Sequence, residues 1–214
     1  MNKIKDHKIT KTSIRVDVFS DVVCPWCYIG WKRLEDAART HQGVSLDIHW
    51  RAFLLNPGMP VEGMDRQAYI QAKFGQAGDS FYARIAEVGR QVGIAFDFPA
   101  IQRTPDSRPA HYLIKAAGDH GHTIKLIMLA DYFEHGVNIG ASEYLDHLAK
   151  RFDITKAQLE TGKSMTEADL EDGSMMDIHG VPHIIVDQRW AVSGAQPAHT
   201  FMPLFDAVIA SRQG

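Results

Sequence analysis

A chain of 214 residues can bury roughly 70% of the surface its unfolded form exposes, which supports one elaborated domain or one domain with a large insertion. Hydrophobic residues at 45% and charged residues at 23% match ordinary globular usage and exclude a disordered body. The 23 Lys and Arg against 26 Asp and Glu leave a net charge of −3, and no basic block or aromatic-basic interleaving appears, so nucleic acid is not an expected partner.

The opening "MNKIKDHKITKTS" is polar and lacks the apolar run of a secretory signal. No span approaches the roughly 20 apolar residues of a membrane helix, so no membrane partner is expected either. The expectation is a cytoplasmic protein, a setting in which structural disulfides are rare.

Residues 1–12 read as a solvated tail. In "IRVDVFS", Ile14, Val16 and Val18 alternate with Arg15 and Asp17, a half-buried strand blurred at its end by Phe19. After the two cysteines, Ile29, Leu34, Ala37 and Ala38 keep helical spacing until "HQG", where the glycine predicts a helix stop. "VSLDIHW" then alternates again with Val44, Leu46, Ile48 and Trp50 on one face, completing a β-α-β unit. From Pro57 a Pro and Gly loop leads into about a hundred residues dominated by helical spacing, with five or six helices expected. In "MTEADLEDGSMMDI" a further helix is predicted with Thr166 as its N-cap and Asp169 three residues on. "HIIVD" (183–187) and "WAVSG" (190–194) read as a hairpin, and Pro197 opens a last helix through Phe201, Leu204, Phe205, Val208 and Ile209. This order fits a four-stranded mixed sheet interrupted by helices.

The only two cysteines, Cys24 and Cys27, stand in the motif Cys24-Pro25-Trp26-Cys27 at the mouth of the first helix. With Cys24 as N-cap and Pro25 at the first helical position, the first-turn N–H groups and the helix dipole favour a Cys24 thiolate. Cys24 is therefore the expected nucleophile and Cys27, three residues on, the resolving thiol of a disulfide exchange. Trp26 offers bulk but no cationic donor, which predicts a mid-range reduction potential. The competing readings are an inert buried pair and a metal site, the latter because His179 and His183 stand at H-x3-H spacing. The long gap between the pairs and Pro182 inside the histidine pair argue against metal.

The stretches "SDVVCPWCYIGWKRLE", "WRAFLLNPGMP", "KFG", "AHYLIKAA", "GVPHIIVD" and "VSGAQP" together resemble the DsbA-like thioredoxin superfamily, and more narrowly its FrnE-like branch of disulfide oxidoreductases. The resemblance implies an α/β, thioredoxin-like fold with a large all-helical insertion, with residues 13–60 and 165–214 forming the thioredoxin-like domain and 61–164 the insertion. It implies thiol-disulfide exchange or isomerisation at Cys24 and Cys27, with no cofactor beyond that redox-active pair. A cis-proline loop at Val181-Pro182 would face the motif and pair with an extended protein or peptide substrate carrying a thiol or disulfide.

His183 departs from the apolar residue expected after the proline. It is read either as a satisfied strand histidine or as a proton donor or ligand beside the thiols. His111 is a second candidate, with packing at a helix start as its blander reading, and the remaining histidines look like surface. Ser193, Gly194, Ala195 and Gln196 are read as a turn or N-cap, or as free N–H groups holding a glutathione carboxylate, since related glutathione-dependent isomerases and kappa-class transferases place glutathione there. Those relatives generally carry serine in place of Cys24, so a small-molecule isomerase or transferase is the alternative function, and a metal-holding or peptide-binding module the third. Trp26, Trp31, Phe53 and Met59 are candidates for an apolar substrate wall, with the core as the other reading for Trp31 and Phe53. A homodimer built on the helical insertion is conceivable.

Overall fold

The computed structural model describes residues 11–212, so most of the expected tail lies outside the described residues. Strand β1 (Thr12–Ser20) starts at the last residue assigned to that tail and pairs in parallel with β2 (Val44–Ala52), in register from Thr12 opposite Val44 to Ser20 opposite Ala52. Helix α1 (Pro25–His41) makes the crossover. At its end the left-handed residue is Gln42, with φ 58°, not the glycine that follows it.

The insertion contains a two-residue strand pair, β3 (Met64–Asp65) with β4 (Arg103–Thr104), and six helices. These are α2 (Arg66–Phe74), α3 (Gly78–Gln91), α4 (Arg108–Ala116), α5 (Gly121–His135), α6 (Ser142–Arg151) and α7 (Lys156–Met175). Helix α7 corrects the sequence reading. Its N-cap is Thr155, which forms a capping box with Gln158, whereas Thr166 lies mid-helix, buried, with its hydroxyl bonded to the Gly162 carbonyl at 2.8 Å. The T-x-x-Q signal was present in the sequence, but the polar first half of α7 masks it by offering few apolar residues at helical spacing. One continuous helix therefore crosses the boundary expected at 164/165. Gly162 lets α7 approach α4, since a Cβ there would meet the Tyr112 carbonyl oxygen at 2.2 Å.

The chain returns to the sheet in β5 (His183–Val186), antiparallel to β1, and β6 (Trp190–Ser193), antiparallel to β5, giving the order β2-β1-β5-β6. The hairpin turns through Asp187 and Gln188, both at positive φ, closed by Arg189 N–H to the Val186 carbonyl at 3.1 Å. After Pro197, residues Ala198–Thr200 form a 3-10 turn, and α8 (Met202–Ser211) starts later than Pro197 suggested.

Ile14, Val16 and Val18 are buried as their alternation requires, and Phe19 is buried as well, because both faces of β1 are covered. At the end of β2, Asp169 of α7 accepts the Ala52 N–H at 2.9 Å and pairs with Arg51 (2.6 Å) and Lys115 (2.7 Å). Arg51 also pairs with Asp172 and reaches Asp17 at 3.6 Å. This network fastens the helical insertion to the sheet at the strand that leads into it.

Candidate active site

The end of β1 and the start of α1 position the motif. Cys24 is the N-cap of α1, in extended conformation (φ −100°, ψ 110°), Pro25 follows inside the helix, and the Cys27 N–H donates to the Cys24 carbonyl at 3.0 Å. No side chain caps this helix, so its first-turn potential is left to the Cys24 sulfur. Both thiols are shielded, Cys24 at 3% and Cys27 at 1% exposure, while Trp26 is half-buried at their edge.

The loop before β5 closes over the motif. Its Val181–Pro182 bond is cis, and the Val181 carbonyl lies 3.7 Å from the Cys24 sulfur. Gly30, on the helix turn after Cys27, permits this approach, because a Cβ there would stand 2.8 Å from Pro182 Cγ. Val181 and Pro182 are thus brought against Cys24.

His183 has partners of its own on the sheet. Its Nδ1 meets Ser193 Oγ at 3.1 Å across the hairpin, its ring sits edge-on to Phe19 at 6.5 Å, and partial burial lowers its pKa. The loop after β6 also differs from expectation. The Gly194 N–H donates to Pro182 O at 2.8 Å and the Gln196 N–H to Gly194 O at 2.9 Å, so these two are committed rather than free. The Gln196 side chain bonds Ser193 O at 2.9 Å, and Arg33 of α1 ties down the Ala195 carbonyl. The segment braces the cis-proline loop against α1 and does not cap α8.

His179, with a side chain 83% exposed, pairs with Asp177, and among the described residues no group of three or more His, Cys, Asp or Glu is arranged to hold a metal ion. Trp31 is core, packed on Trp50 (5.5 Å) and His122 (4.8 Å), Met59 is buried, and Phe53 is half-buried. His122 is correspondingly not a surface histidine: it accepts the Trp50 indole N–H at 3.1 Å.

Beneath the motif lies a buried charged cluster whose role sequence reasoning missed. Asp21, three residues before Cys24, is fully buried and accepts the Leu55 N–H at 2.8 Å and the Val23 N–H at 3.3 Å, pinning the motif loop to the loop after β2. His111 of α4 approaches it at 3.4 Å. His111 is thus packed in the first turn of α4 with Asp21 as its charged neighbour. Burial opposes the Asp21 charge, but His111, the Leu55 N–H and Lys125 outweigh it and lower its pKa, while burial lowers that of His111 despite Asp21.

Lys125 of α5 is 1% exposed, lies 5.3 Å from the Trp50 ring centroid, and is pushed down to about 8 by burial, with Cys27, Asp21 and Cys24 favouring its charged form. Burial and then Cys24 push the Cys27 thiol well up, and Lys125 pulls it back. One signal could have found Lys125: a single cation inside the otherwise apolar run "IKLIML" (124–129).

Comparison with known proteins agrees with this fold. A family model for the DSBA-like thioredoxin domain matches residues 15–205. The Bacillus subtilis (strain 168) protein YwbO is 23% identical over 188 residues, covering 81% of this chain and 87% of its own length. Among solved structures, SCO1869 of Streptomyces coelicolor, described as a probable DsbA oxidoreductase, superposes with a TM-score of 0.78 at 22% identity, covering 92% of this chain and 90% of its own. The cytosolic disulfide reductase DsbM of Pseudomonas aeruginosa superposes at 0.56 with 15% identity, covering 93% and 98%, and has also been solved with GSH. With a thioredoxin-like sheet, a helical insertion and a family match spanning nearly the whole length, the chain belongs to the DsbA-like thioredoxin family of thiol-disulfide oxidoreductases.

Proposed function

We propose that the protein exchanges disulfides through the Cys24-Pro25-Trp26-Cys27 motif, with Cys24 attacking and Cys27 resolving. The observation that carries this is the asymmetry of the two thiols. Both are shielded, but Cys24 sits at the helix N-terminus against the Val181 carbonyl, whereas burial and then Cys24 push the Cys27 thiol well above its ordinary range. In the reducing direction the Cys24 thiolate attacks one substrate sulfur, the substrate S–S bond breaks, and the other sulfur leaves with the electron pair. Cys27 then attacks the Cys24 sulfur, forming the Cys24–Cys27 disulfide and releasing the second substrate thiolate.

Resolution requires Cys27 to lose its proton. An amine poised near neutral pH is a suitable acceptor, and Lys125 at about 8 is such a group. The Val181 backbone beside Cys24 offers the edge along which an extended thiol- or disulfide-bearing peptide aligns as an added strand. Glutathione is proposed as co-substrate rather than as a fixed ligand of the 193–196 loop, since the N–H groups of Gly194 and Gln196 are occupied. The DsbM structure with GSH supports that role, and the cytosolic description of DsbM supports a cytoplasmic site of action. Isomerisation needs the same attack followed by slow resolution, so the buried Cys27 is compatible with it. Trp26, with no cation to add beside Cys24, supports a mid-range potential.

The test is equilibration with glutathione redox buffers, alkylation and intact mass. Two thiols lost together as the buffer becomes oxidising is the expected result, with Cys27→Ser accumulating a mixed disulfide at Cys24 and Cys24→Ser inert. Exchange that survives Cys24→Ser defeats the assignment.

A further inference from the structure

His111, in the stretch "AHYLIKAA", takes no direct part in disulfide exchange, yet it is buried in the first turn of α4 at 3% exposure. Its Nε2 stands 3.4 Å from Asp21 Oδ1, and among the described residues it has no closer hydrogen-bond partner. A buried polar nitrogen without a close partner gives up hydration for little return, and a functional demand is one reason such a group is kept.

Asp21 is where three segments of the chain meet. Its carbonyl accepts the Cys24 N–H at 3.2 Å, closing the turn from which Cys24 caps α1. Its carboxylate, wholly out of water, takes the Val23 N–H of that same turn on Oδ1 at 3.3 Å and the Leu55 N–H of the loop after β2 on Oδ2 at 2.8 Å. The third approach is that of His111, from the helical insertion. Helix α4 grips the same loop a second time, because Arg108, three residues before His111 and on the same face, donates to the Pro57 carbonyl. The start of α4, the loop at 55–57 and the turn at 21–24 thus form a closed circuit of contacts. His111 is the member through which the insertion reaches the turn that presents Cys24.

Attack on a disulfide depends on the direction of the Cys24 sulfur as well as on its ionisation, since reacting orbitals must align. We propose that His111 is a positioning residue for the reaction at Cys24, donating its Nε2–H to Asp21 and so holding the 21–24 turn in the orientation from which the sulfur attacks. The proposal rests on the reading of Cys24 as the attacking thiol and deepens it. The step it favours is the first one. The Cys24 thiolate bonds one sulfur of a disulfide, that S–S bond breaks, and the other sulfur leaves as a thiolate, while the imidazole neither gains nor loses a proton.

This role requires a neutral ring with its proton on Nε2, since a bare Nε2 would set a lone pair against the carboxylate. Burial lowers the His111 pKa, so the ring is neutral at neutral pH. Burial also opposes the Asp21 charge, but His111, the Leu55 N–H and Lys125 outweigh it. The charged groups facing His111 are Lys125 from α5, Asp21 and, from α7, Asp169.

The experiment uses a Cys27→Ser background, in which the mixed disulfide is not resolved. Its formation from oxidised glutathione is followed by intact mass against pH for the protein with His111, His111→Gln and His111→Leu, with thermal unfolding to establish that each is folded. Glutamine keeps an amide N–H donor at similar reach, whereas leucine fills the space without one. His111→Leu is expected to slow mixed-disulfide formation about tenfold, and His111→Gln to stay within about twofold of the protein with His111. The slowing should persist at pH values where Cys24 is fully ionised, because orientation and not thiolate population is lost. An undiminished rate in folded His111→Leu, an equal loss in His111→Gln, or a deficit that vanishes once the thiol is ionised overturns the proposal. Should His111→Leu not fold, the His111 ring nitrogens are followed by NMR in the protein that keeps the histidine. Protonation at Nε2 is expected at neutral pH, and the Nδ1–H tautomer overturns the proposal. Absence of any mixed disulfide at Cys24 in the Cys27→Ser protein with His111 would instead signal failure of the oxidoreductase reading itself.

Discussion

Replacing Lys125 with methionine should remove a pH dependence of stability that its burial imposes. In the native fold the ammonium is pushed down to about 8 from an ordinary 10.5, so between those values the unfolded chain holds a proton that the folded chain has released. Stability therefore rises with pH across that window, and the whole gap corresponds to about 3 kcal/mol at roughly 1.36 kcal/mol per pH unit. The thiols complicate the reading. Cys27 is raised in the fold, so the unfolded chain loses its proton first and stability falls over the same range.

Placing both proteins on a Cys24→Ala, Cys27→Ala background removes that opposing effect. It also removes the thiolates that favour the charged amine, so Lys125 should titrate no higher than about 8. Urea unfolding at pH 7 and pH 9.5 then compares the protein that keeps Lys125 with its Lys125→Met variant, and taking the difference cancels the tyrosines and every other group. The protein with Lys125 should gain about 2 kcal/mol relative to the variant between the two pH values. A difference that stays constant would show that Lys125 keeps its proton throughout, and the role assigned to it in deprotonating Cys27 would fall with it.

Two further substitutions probe the positioning of the site. Gly30→Ala drives a Cβ to 2.8 Å from Pro182 Cγ, so it should cost about 1–3 kcal/mol by thermal or urea unfolding and slow Cys24 exchange by displacing the Val181 carbonyl. A variant with unaltered stability and rate would mean that the cis-proline loop does not depend on that close approach. Asp169→Asn leaves Lys115 without its carboxylate and Arg51 with weaker compensation at the root of the insertion, and should destabilise by about 3 kcal/mol in urea. A loss well under 1 kcal/mol would remove the network from the forces that hold the insertion to the sheet.

Local signals settled much of this protein. Strict alternation in "IRVDV" and "VSLDIHW", helical spacing after Cys27, and Pro25 at the first helical position fix the β-α-β unit because they depend only on neighbours in the chain. The motif and its place at a helix start were equally legible, since N-capping is a matter of a few consecutive residues. The helices of the insertion were visible by their apolar periodicity, and only α7 was misjudged, where a polar first half hid a single long helix behind a false cap at Thr166.

What surrounds the sulfurs was a matter of tertiary structure. Asp21, His111 and Lys125 come from three separate elements, and the sequence shows each as an isolated polar residue. Their meaning depends on burial, which can lower a lysine to about 8 and raise a thiol only once water has been excluded from both. The same holds for Arg66, an ordinary helix-start arginine until folding strips it of solvent, and for Gly194, whose N–H gains the Pro182 carbonyl only in the fold. Spacing along a chain identifies which residues share a helix or strand, but charge regulation is set by distances through the folded interior, where the dielectric is low and every neighbour counts.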